Sequence, residues 1–236
     1  MHHCGDVVFQ CAIDQNRCYA GDIYHICSGP GKDPYAVVDY RESPLIRIQY
    51  LRYSGEMVTE SNYLFNMIGL EKLLLELRVL ILHAAVVTYR GQGILFSAPS
   101  GTGKSTQAEL WKNHMGAQIL NGDRAGIRLA EGGWRTCGLP YAGSSRIYRS
   151  ESTPLRAIVV LRQSKENQIR RMESMEALRA LVPEFSAHRW DLVFMNKLLD
   201  IAAGLLRDVP VYCLECRPDQ EAVHLLHDTL FDEETL

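Results

Sequence analysis

Hydrophobic and polar residues alternate over much of the first sixty residues, with the two-residue period of a strand that buries one face. The alternation is clearest between residues 45 and 52. Glycine and proline clusters separate the alternating runs. We therefore predict a β-rich N-terminal subdomain over residues 1–60, with strands at residues 6–13, 18–27, 35–41 and 45–53.

The pattern changes after residue 60. Leucine and isoleucine recur every three or four residues over 61–77, which predicts a helix. Short apolar runs then alternate with amphipathic stretches, so we predict an α/β core over residues 61–236. Its predicted strands are 81–89, 93–97, 117–124, 126–130, 134–137, 157–161 and 211–216, and its predicted helices begin at about Ser105 and span 174–181, 190–206 and 219–230.

Composition narrows the function classes. A net charge of −3 over 236 residues gives no sign of a nucleic-acid partner. We find no signal peptide, and the longest apolar run is too short to span a bilayer. We therefore expect a cytoplasmic protein with no membrane partner. Seven cysteines without regular spacing favour reduced thiols, and Cys213 and Cys216 are predicted to point to opposite faces of one strand as core residues.

The stretch between residues 97 and 106 is the most informative motif. Its sequence, SAPSGTGKST, follows an apolar run and precedes a predicted helix, as a phosphate-binding loop does. Glycines allow a tight turn whose N–H groups approach phosphate oxygens, the lysine carries a positive charge, and the serine hydroxyl can bind Mg²⁺. The predicted nucleotide-binding residues are Ser100, Gly101, Thr102, Gly103, Lys104, Ser105 and Thr106.

The loop departs from the usual pattern at one position. Ala98 stands where G-x-x-x-x-G-K-[ST] has its first glycine, so a residue with a Cβ must form the first turn. The order of strand, glycine loop and helix is nevertheless the one that the motif requires. We therefore predict that the protein binds a nucleoside triphosphate and Mg²⁺.

Asp123 is the predicted carboxylate partner of this loop. It ends the strand that follows the loop helix, and a right-handed crossover would lay that strand beside strand 93–97. Asp123 would then bind Mg²⁺ together with Ser105, or act as the base for an incoming hydroxyl. The alternative is a turn aspartate in the Asn121-Gly122-Asp123 sequence.

Three further residues are predicted to be catalytic. Arg124 and Arg146 could stabilise transition-state charge, although each could equally be a surface cation. Residues 143–146 could hold an anion or form an ordinary polar loop. His83 lies in an apolar strand that is adjacent or antiparallel to the strand entering the loop, and it is either a catalyst or a satisfied core histidine.

Between residues 81 and 161 the chain resembles the catalytic core of HPr serine kinase, which ATP-dependent phosphoenolpyruvate carboxykinase shares. The resemblance rests on the sequences ILHAAVV, GILF, SGTGKS and LNGDR at positions 81, 93, 100 and 120. It implies a P-loop kinase core in which a histidine strand precedes the loop. It also implies two acidic residues at the end of the later strand, one for Mg²⁺ and one for the acceptor hydroxyl.

The chain departs from that family at Gly122, which stands where the first aspartate is expected. One carboxylate must then serve both purposes, or another residue must help. The family's acidic, arginine-containing glycine segment is not found, and residues 138–146 are the candidate for its place. In size the chain is similar to HPr-kinase-like enzymes that phosphorylate a serine of a ribosomal peptide precursor, and the family often forms rings, which suggests a homo-oligomer.

The leading hypothesis is therefore an Mg²⁺- and ATP-dependent kinase for a hydroxyl acceptor, a serine on a peptide or small protein. The N-terminal sheet would shape the acceptor groove and could capture a peptide by strand addition. A small-molecule kinase or carboxykinase-like enzyme is the second hypothesis. The third is a non-catalytic ATP sensor or peptide-binding module, which Gly122 keeps open.

Overall fold

The computed structural model divides the chain into two compact units. The first comprises Met1–Leu70 and Arg189–Leu192, and the second comprises Glu71–His188 and Val193–Leu236. The predicted boundary between residues 60 and 61 lies outside the described residues. The structure describes residues 2–4, 7–9, 12–14, 17–20, 23–27, 34–41, 47–50, 65, 69–142, 146–189 and 191–232.

The described residues of the first unit form two antiparallel sheets. Two of the predicted strands are wrong, because each is divided. Residues 6–13 contribute to two strands of different sheets, and residues 18–27 form two strands that pair with each other. The strands are β1 (His2–Cys4), β2 (Val7–Phe9), β3 (Ala12–Asp14), β4 (Arg17–Ala20), β5 (Ile23–Cys27), β6 (Pro34–Asp39) and β7 (Arg47–Tyr50).

The second unit is a mixed α/β structure around one large sheet, so the predicted α/β class is confirmed. Its strands are β8 (Val79–Tyr89), β9 (Gln92–Ser97), β10 (Gln118–Asn121), β11 (Arg124–Ala130), β12 (Gly133–Gly138), β13 (Ser152–Gln163), β14 (Gln168–Arg171) and β15 (Val211–Cys216). Its helices are α1 (Leu70–Glu76), α2 (Lys104–Met115), α3 (Ser174–Leu181), α4 (Leu192–Asp208) and α5 (Gln220–Phe231), with a 3₁₀ turn at Val182–Glu184.

Strand β8 is an interior strand of the sheet, with neighbours on both sides. A tight turn at Arg90 and Gly91, with φ values of 49° and 72°, returns the chain antiparallel into β9. The last residues of β8 pair with β9 on one side and β10 on the other, while its first residues pair with β11. Both faces of β8 are largely buried, as expected for a central strand.

The predicted position of the strand after the loop helix is therefore wrong. Strand β10 pairs with β8 and does not lie beside β9. Because β9 and β10 are each antiparallel to β8, they run parallel to one another with β8 between them. Their carboxyl ends still lie at the same edge of the sheet, and β8 contributes His83 between them.

Helices cover both faces of this sheet. Alternate residues of β8 and β9 join two separate cores, one with α3 and α4 and the other with α2 and α5. Cys213 belongs to the first core and Cys216 to the second, which confirms that they point to opposite faces. Both thiols are free, and burial raises the pKa of each. Within the described ranges, no helix combines the length and apolarity needed to cross a bilayer.

Candidate active site

The glycine loop joins the end of β9 to the start of α2. Gly101 and Gly103 have φ values of 80° and 121°, a region that residues with a Cβ rarely adopt. A Cβ at either position would have no heavy atom within 4 Å, so the space in front of the loop is open. The first N–H groups of α2, which begins at Lys104, lack intrahelical acceptors. The loop can therefore present N–H donors to an anion.

Ala98 replaces the expected glycine without backbone strain. Among the described residues other than glycine, a positive φ occurs at Arg78, Arg90 and Arg146, so Ala98 has an ordinary backbone conformation. The turn that follows is closed by a hydrogen bond from the Thr102 N–H to the Pro99 carbonyl, at 3.3 Å. The alanine at position 98 is thus compatible with the turn formed by the rest of the loop.

The Lys104 side chain is held against this loop. Its Nζ donates hydrogen bonds to the carbonyl oxygens of Ala98, at 2.8 Å, and Pro99, at 3.3 Å. The side chain is buried, and this burial lowers the pKa of the ammonium, while the carboxylates of Glu184 and Asp123 act in the opposite direction. The loop therefore holds a cation within the electrostatic field of two carboxylates.

Asp123 is positioned by the buried side chain of Asn121. The Asn121 Oδ1 accepts hydrogen bonds from the backbone N–H groups of Asp123, at 2.9 Å, and Arg124, at 2.8 Å. Its Nδ2 donates to the Tyr141 carbonyl at 2.9 Å. Sequence reasoning assigned no role to Asn121, although the Asn-Gly-Asp turn was the available signal. The turn thus fixes the backbone at Asp123. A position in this turn and a role in the site are compatible for Asp123.

His83 contacts two carboxylates. Its Nε2 lies 3.2 Å from the Asp123 Oδ1, and its Nδ1 lies 2.9 Å from the Glu184 Oε2. The sheet register brings the first pair together, because Arg124 pairs with His83 and the Ala84 N–H donates to the Asp123 carbonyl at 3.0 Å. An imidazole ring can donate to both carboxylates at once only when it carries a proton on each nitrogen.

Sequence reasoning missed Glu184. This residue ends the 3₁₀ turn after α3, 101 residues away from its partner His83. The next residues attach to β8, since Phe185 forms a β-bridge with Leu82 and the Ser186 N–H donates to the Ile81 carbonyl at 2.9 Å. No local spacing relates a histidine to a glutamate so distant in the chain. Only the tertiary pairing of this segment with β8 reveals the contact.

Asp123 is held in its ionised form. Burial acts to raise the pKa of this carboxyl, but the hydrogen bond from His83 and the nearby charges of Arg124 and Lys104 outweigh it. The pKa therefore lies below its ordinary value. Arg124 contributes directly, because its Nε lies 3.3 Å from the Asp123 Oδ2. A carboxylate of this kind can bind a divalent cation or accept a hydrogen bond from a hydroxyl.

The remaining predicted site residues differ in what the structure shows of them. Ser105 and Thr106 are exposed in the first turn of α2, beside Lys104. Arg146 is exposed, and the next carbonyl, of Ile147, accepts a hydrogen bond from the Gly122 N–H at 3.2 Å. Its backbone is thus near Asp123, but its catalytic role stays a prediction. The predicted anion cradle at 143–145 lies outside the described residues.

Comparison with known proteins gives a family match and distant structural likenesses to solved structures. The structure of the Hpr(Ser) kinase/phosphatase from Coxiella burnetii matches with 13% identity, over 65% of this chain and 89% of that one, at a TM-score of 0.38. A TM-score this low supports no conclusion about activity. None of the curated proteins matches the sequence significantly. The family model described as "SynChlorMet cassette protein ScmC" matches residues 67–219, well over half of the 236 residues, and the chain therefore belongs to the ScmC family.

Proposed function

We propose that the protein is an Mg²⁺- and ATP-dependent kinase that transfers a phosphoryl group to a hydroxyl, a serine on a peptide or small protein. The observation that carries this proposal is the arrangement at one edge of the sheet. There the glycine loop with Lys104 lies at the end of β9. Asp123, His83 and Glu184 form a hydrogen-bonded row whose middle residue, His83, belongs to the adjacent strand β8. Phosphoryl transfer needs these groups together: donors and a cation for the phosphates, and a carboxylate for the nucleophile.

The residues at this edge fit ATP and Mg²⁺. The open space in front of Gly101 and Gly103 admits a phosphate close to the backbone, and the Lys104 ammonium is adjacent. The exposed Ser105 hydroxyl and the ionised Asp123 carboxylate are hard oxygen donors of the kind that Mg²⁺ prefers. When bound, the metal would neutralise developing charge on the phosphate oxygens.

Asp123 would orient the acceptor hydroxyl and take its proton. The oxygen of that hydroxyl forms a bond to the γ-phosphorus as the bond to the β-phosphate oxygen breaks, and ADP leaves. Arg124 and Lys104 would stabilise negative charge in the transition state. His83 would hold the Asp123 carboxylate in place, and Glu184 would in turn hold the imidazole ring by its other nitrogen.

A peptide acceptor is proposed because the chain resembles HPr-kinase-like enzymes that modify peptides. A non-catalytic ATP sensor is the second candidate. Gly122 favours it, because the position lacks a side chain that could share the work of Asp123. A sensor would bind ATP and Mg²⁺ with no transfer.

The test is incubation of the protein with γ-labelled ATP, Mg²⁺ and an arrayed library of serine-containing peptides. The Lys104→Ala variant removes the loop cation. Lys112→Ala is its control, because Lys112 is exposed on the same helix and its side chain pairs with the Glu109 carboxylate. We expect label on peptide with the wild type and Lys112→Ala, and no label with Lys104→Ala.

Other outcomes separate the alternatives. ATP binding without transfer would favour the sensor. Label on free serine or glycerol, with none on peptides, would favour a small-molecule kinase. Failure of ATP to bind at all would reject every one of these functions.

A further inference from the structure

A cleft lies beside the glycine loop, on the side away from Asp123. The cleft has a volume of about 380 Å³ and adjoins Thr102 and Gly103 of the loop. Its other walls include Gln107 of α2, Leu161 and Gln163 of β13, and Cys216 of β15. The volume lies within the range of small-molecule sites, which is about 300–1,000 Å³.

Gln107 lines this cleft and carries a buried hydrogen-bond acceptor without a partner. The residue is 2% exposed, and its Nε2 donates to the Cys216 Sγ at 3.3 Å. Its Oε1 is buried and has no hydrogen-bond partner. A buried acceptor without a partner is unfavourable, so a ligand that brings a donor to this atom would be stabilised.

Topology gives the cleft its relation to the proposed transfer site. Strand β9, which leads into the glycine loop, has β8 on one side and β13 on the other. His83 and Asp123 lie on the β8 side, and the cleft lies on the side of β13 and β15. Gln163 connects the wall of the cleft to the glycine loop, because its Nε2 lies 3.4 Å from the carbonyl oxygens of Gly101 and Thr102. A triphosphate held by the loop with its terminal phosphate towards Asp123 would extend its other end towards the cleft.

We infer that this cleft holds the base of the nucleotide and that the Gln107 Oε1 accepts a hydrogen bond from the 6-amino group of adenine. The inference rests on the proposed use of ATP and names the part of the protein that selects the nucleotide. Leu161 and Cys216 are buried and supply an apolar surface for a flat ring. A purine with a keto group at the 6 position would place an acceptor against the Gln107 acceptor, so it is disfavoured.

The experiment measures the affinities of four probes in the presence of Mg²⁺. The probes are ATP, purine riboside triphosphate, which lacks the 6-amino group, inosine triphosphate, which has a 6-keto group, and tripolyphosphate, which has no base. We expect the wild type to bind ATP about tenfold more tightly than either of the other nucleotides, the effect of one buried hydrogen bond. Gln107→Leu is expected to abolish this preference, and Gln118→Leu on β10 is the control that keeps it.

A second variant tests the cleft without altering α2. Ser164→Trp places a large ring at the rim of the cleft, beside Gln163. It is expected to weaken ATP binding at least tenfold while tripolyphosphate binding stays unchanged. Thermal unfolding of each variant shows whether it is folded.

The outcomes separate this inference from the proposed function. Equal binding of the three nucleotides by the wild type, a preference for inosine triphosphate, or a preference for ATP that persists in Gln107→Leu would overturn the inference and leave a phosphate site intact. Absence of binding by all four probes would overturn both. Selective ATP binding with no phosphoryl transfer would support the base site and contradict the kinase.

Discussion

Two histidine–carboxylate groups in the second unit use the same chemistry in different surroundings. The His188 Nε2 lies 3.0 Å from the Glu71 Oε1, and the side chain of His188 is 1% exposed. Its ring also stacks on Phe194, with 4.7 Å between ring centroids. His83 likewise contacts carboxylates, but it is 19% exposed and lies between Asp123 and Glu184.

Both groups pair a histidine with a carboxylate, so the pairing alone does not identify a candidate site. The difference lies in how far the side chains are buried. A fully buried pair such as His188 and Glu71 excludes water and ligands, so its contribution is to hold α1 against the segment before α4. The partly exposed row around His83 lies beside the glycine loop, where a substrate can reach it. Glu184 and His188 lie four residues apart in one short segment. That segment therefore contributes one residue to each of the two histidine–carboxylate groups.

The largest expected effect is on catalysis at the exposed row. Asp123→Asn preserves the shape of the side chain but removes its capacity to take a proton, so turnover should fall about 10³-fold. ATP affinity should fall much less than turnover, because the glycine loop is intact and only one of the proposed Mg²⁺ ligands is weakened. Steady-state kinetics measures the change, and Asp200→Asn, at an exposed position of α4, is the matched control. Turnover within twofold of the wild type would exclude Asp123 as the base.

The next effect is on stability at the buried pair. His188→Leu leaves the Glu71 carboxylate buried without this partner, and the free energy of unfolding should fall by about 3 kcal/mol. Urea unfolding measures this change. Turnover per folded molecule should stay near that of the wild type, since His188 pairs with Glu71 and stacks on Phe194. A large loss of turnover in fully folded His188→Leu protein would show that the buried pair also affects activity, which contradicts its assignment as a purely structural pair.

A smaller effect is expected at Glu184. Glu184→Gln removes the charge that faces the His83 Nδ1 but preserves the size of the side chain, so kcat should fall about tenfold. KM for ATP should not change, and Glu184→Asp should recover part of the loss. The exposed Glu109→Gln is the control. An effect on KM alone would show that Glu184 acts on nucleotide binding and not on the positioning of His83.

The smallest effect is the pH dependence of stability at Asp123. Because the folded pKa of this carboxyl is lowered, its favourable contacts contribute fully above the unfolded pKa, which is about 3.9, and are lost as pH falls through the lower folded pKa. The stability difference between the wild type and Asp123→Asn should therefore shrink as pH falls below about pH 4. Unfolding measured at several pH values tests this. A difference that grows towards acid pH would mean that the pKa is raised.

The sequence predicted the parts of the site that are local in the chain. The glycine loop and the strand with His83 follow from contiguous patterns, and so does the turn that carries Asp123. The N-terminal sequence also predicted strands, but alternation did not reveal that the chain reverses between Ala20 and Ile23.

The parts that could not be predicted depend on pairing between distant segments. Strand β8 lies between β9 and β10. This order depends on which strands bury both faces, and the local sequence pattern of each strand does not specify its neighbours. Glu184 reaches His83 only because Phe185 and Ser186 attach to β8. Gln107 resembled an ordinary helix residue until its burial beside Cys216 was visible.

The central claim is that this edge of the sheet transfers the terminal phosphoryl group of ATP to a hydroxyl. Phosphorus NMR of a mixture of protein, ATP, Mg²⁺ and the serine-peptide library tests it directly, because a phosphomonoester, inorganic phosphate and unreacted ATP give separate signals. We predict a phosphomonoester signal that grows with ADP in the wild type and is absent with Asp123→Asn. Unchanged ATP, or ADP with inorganic phosphate alone, would contradict the claim.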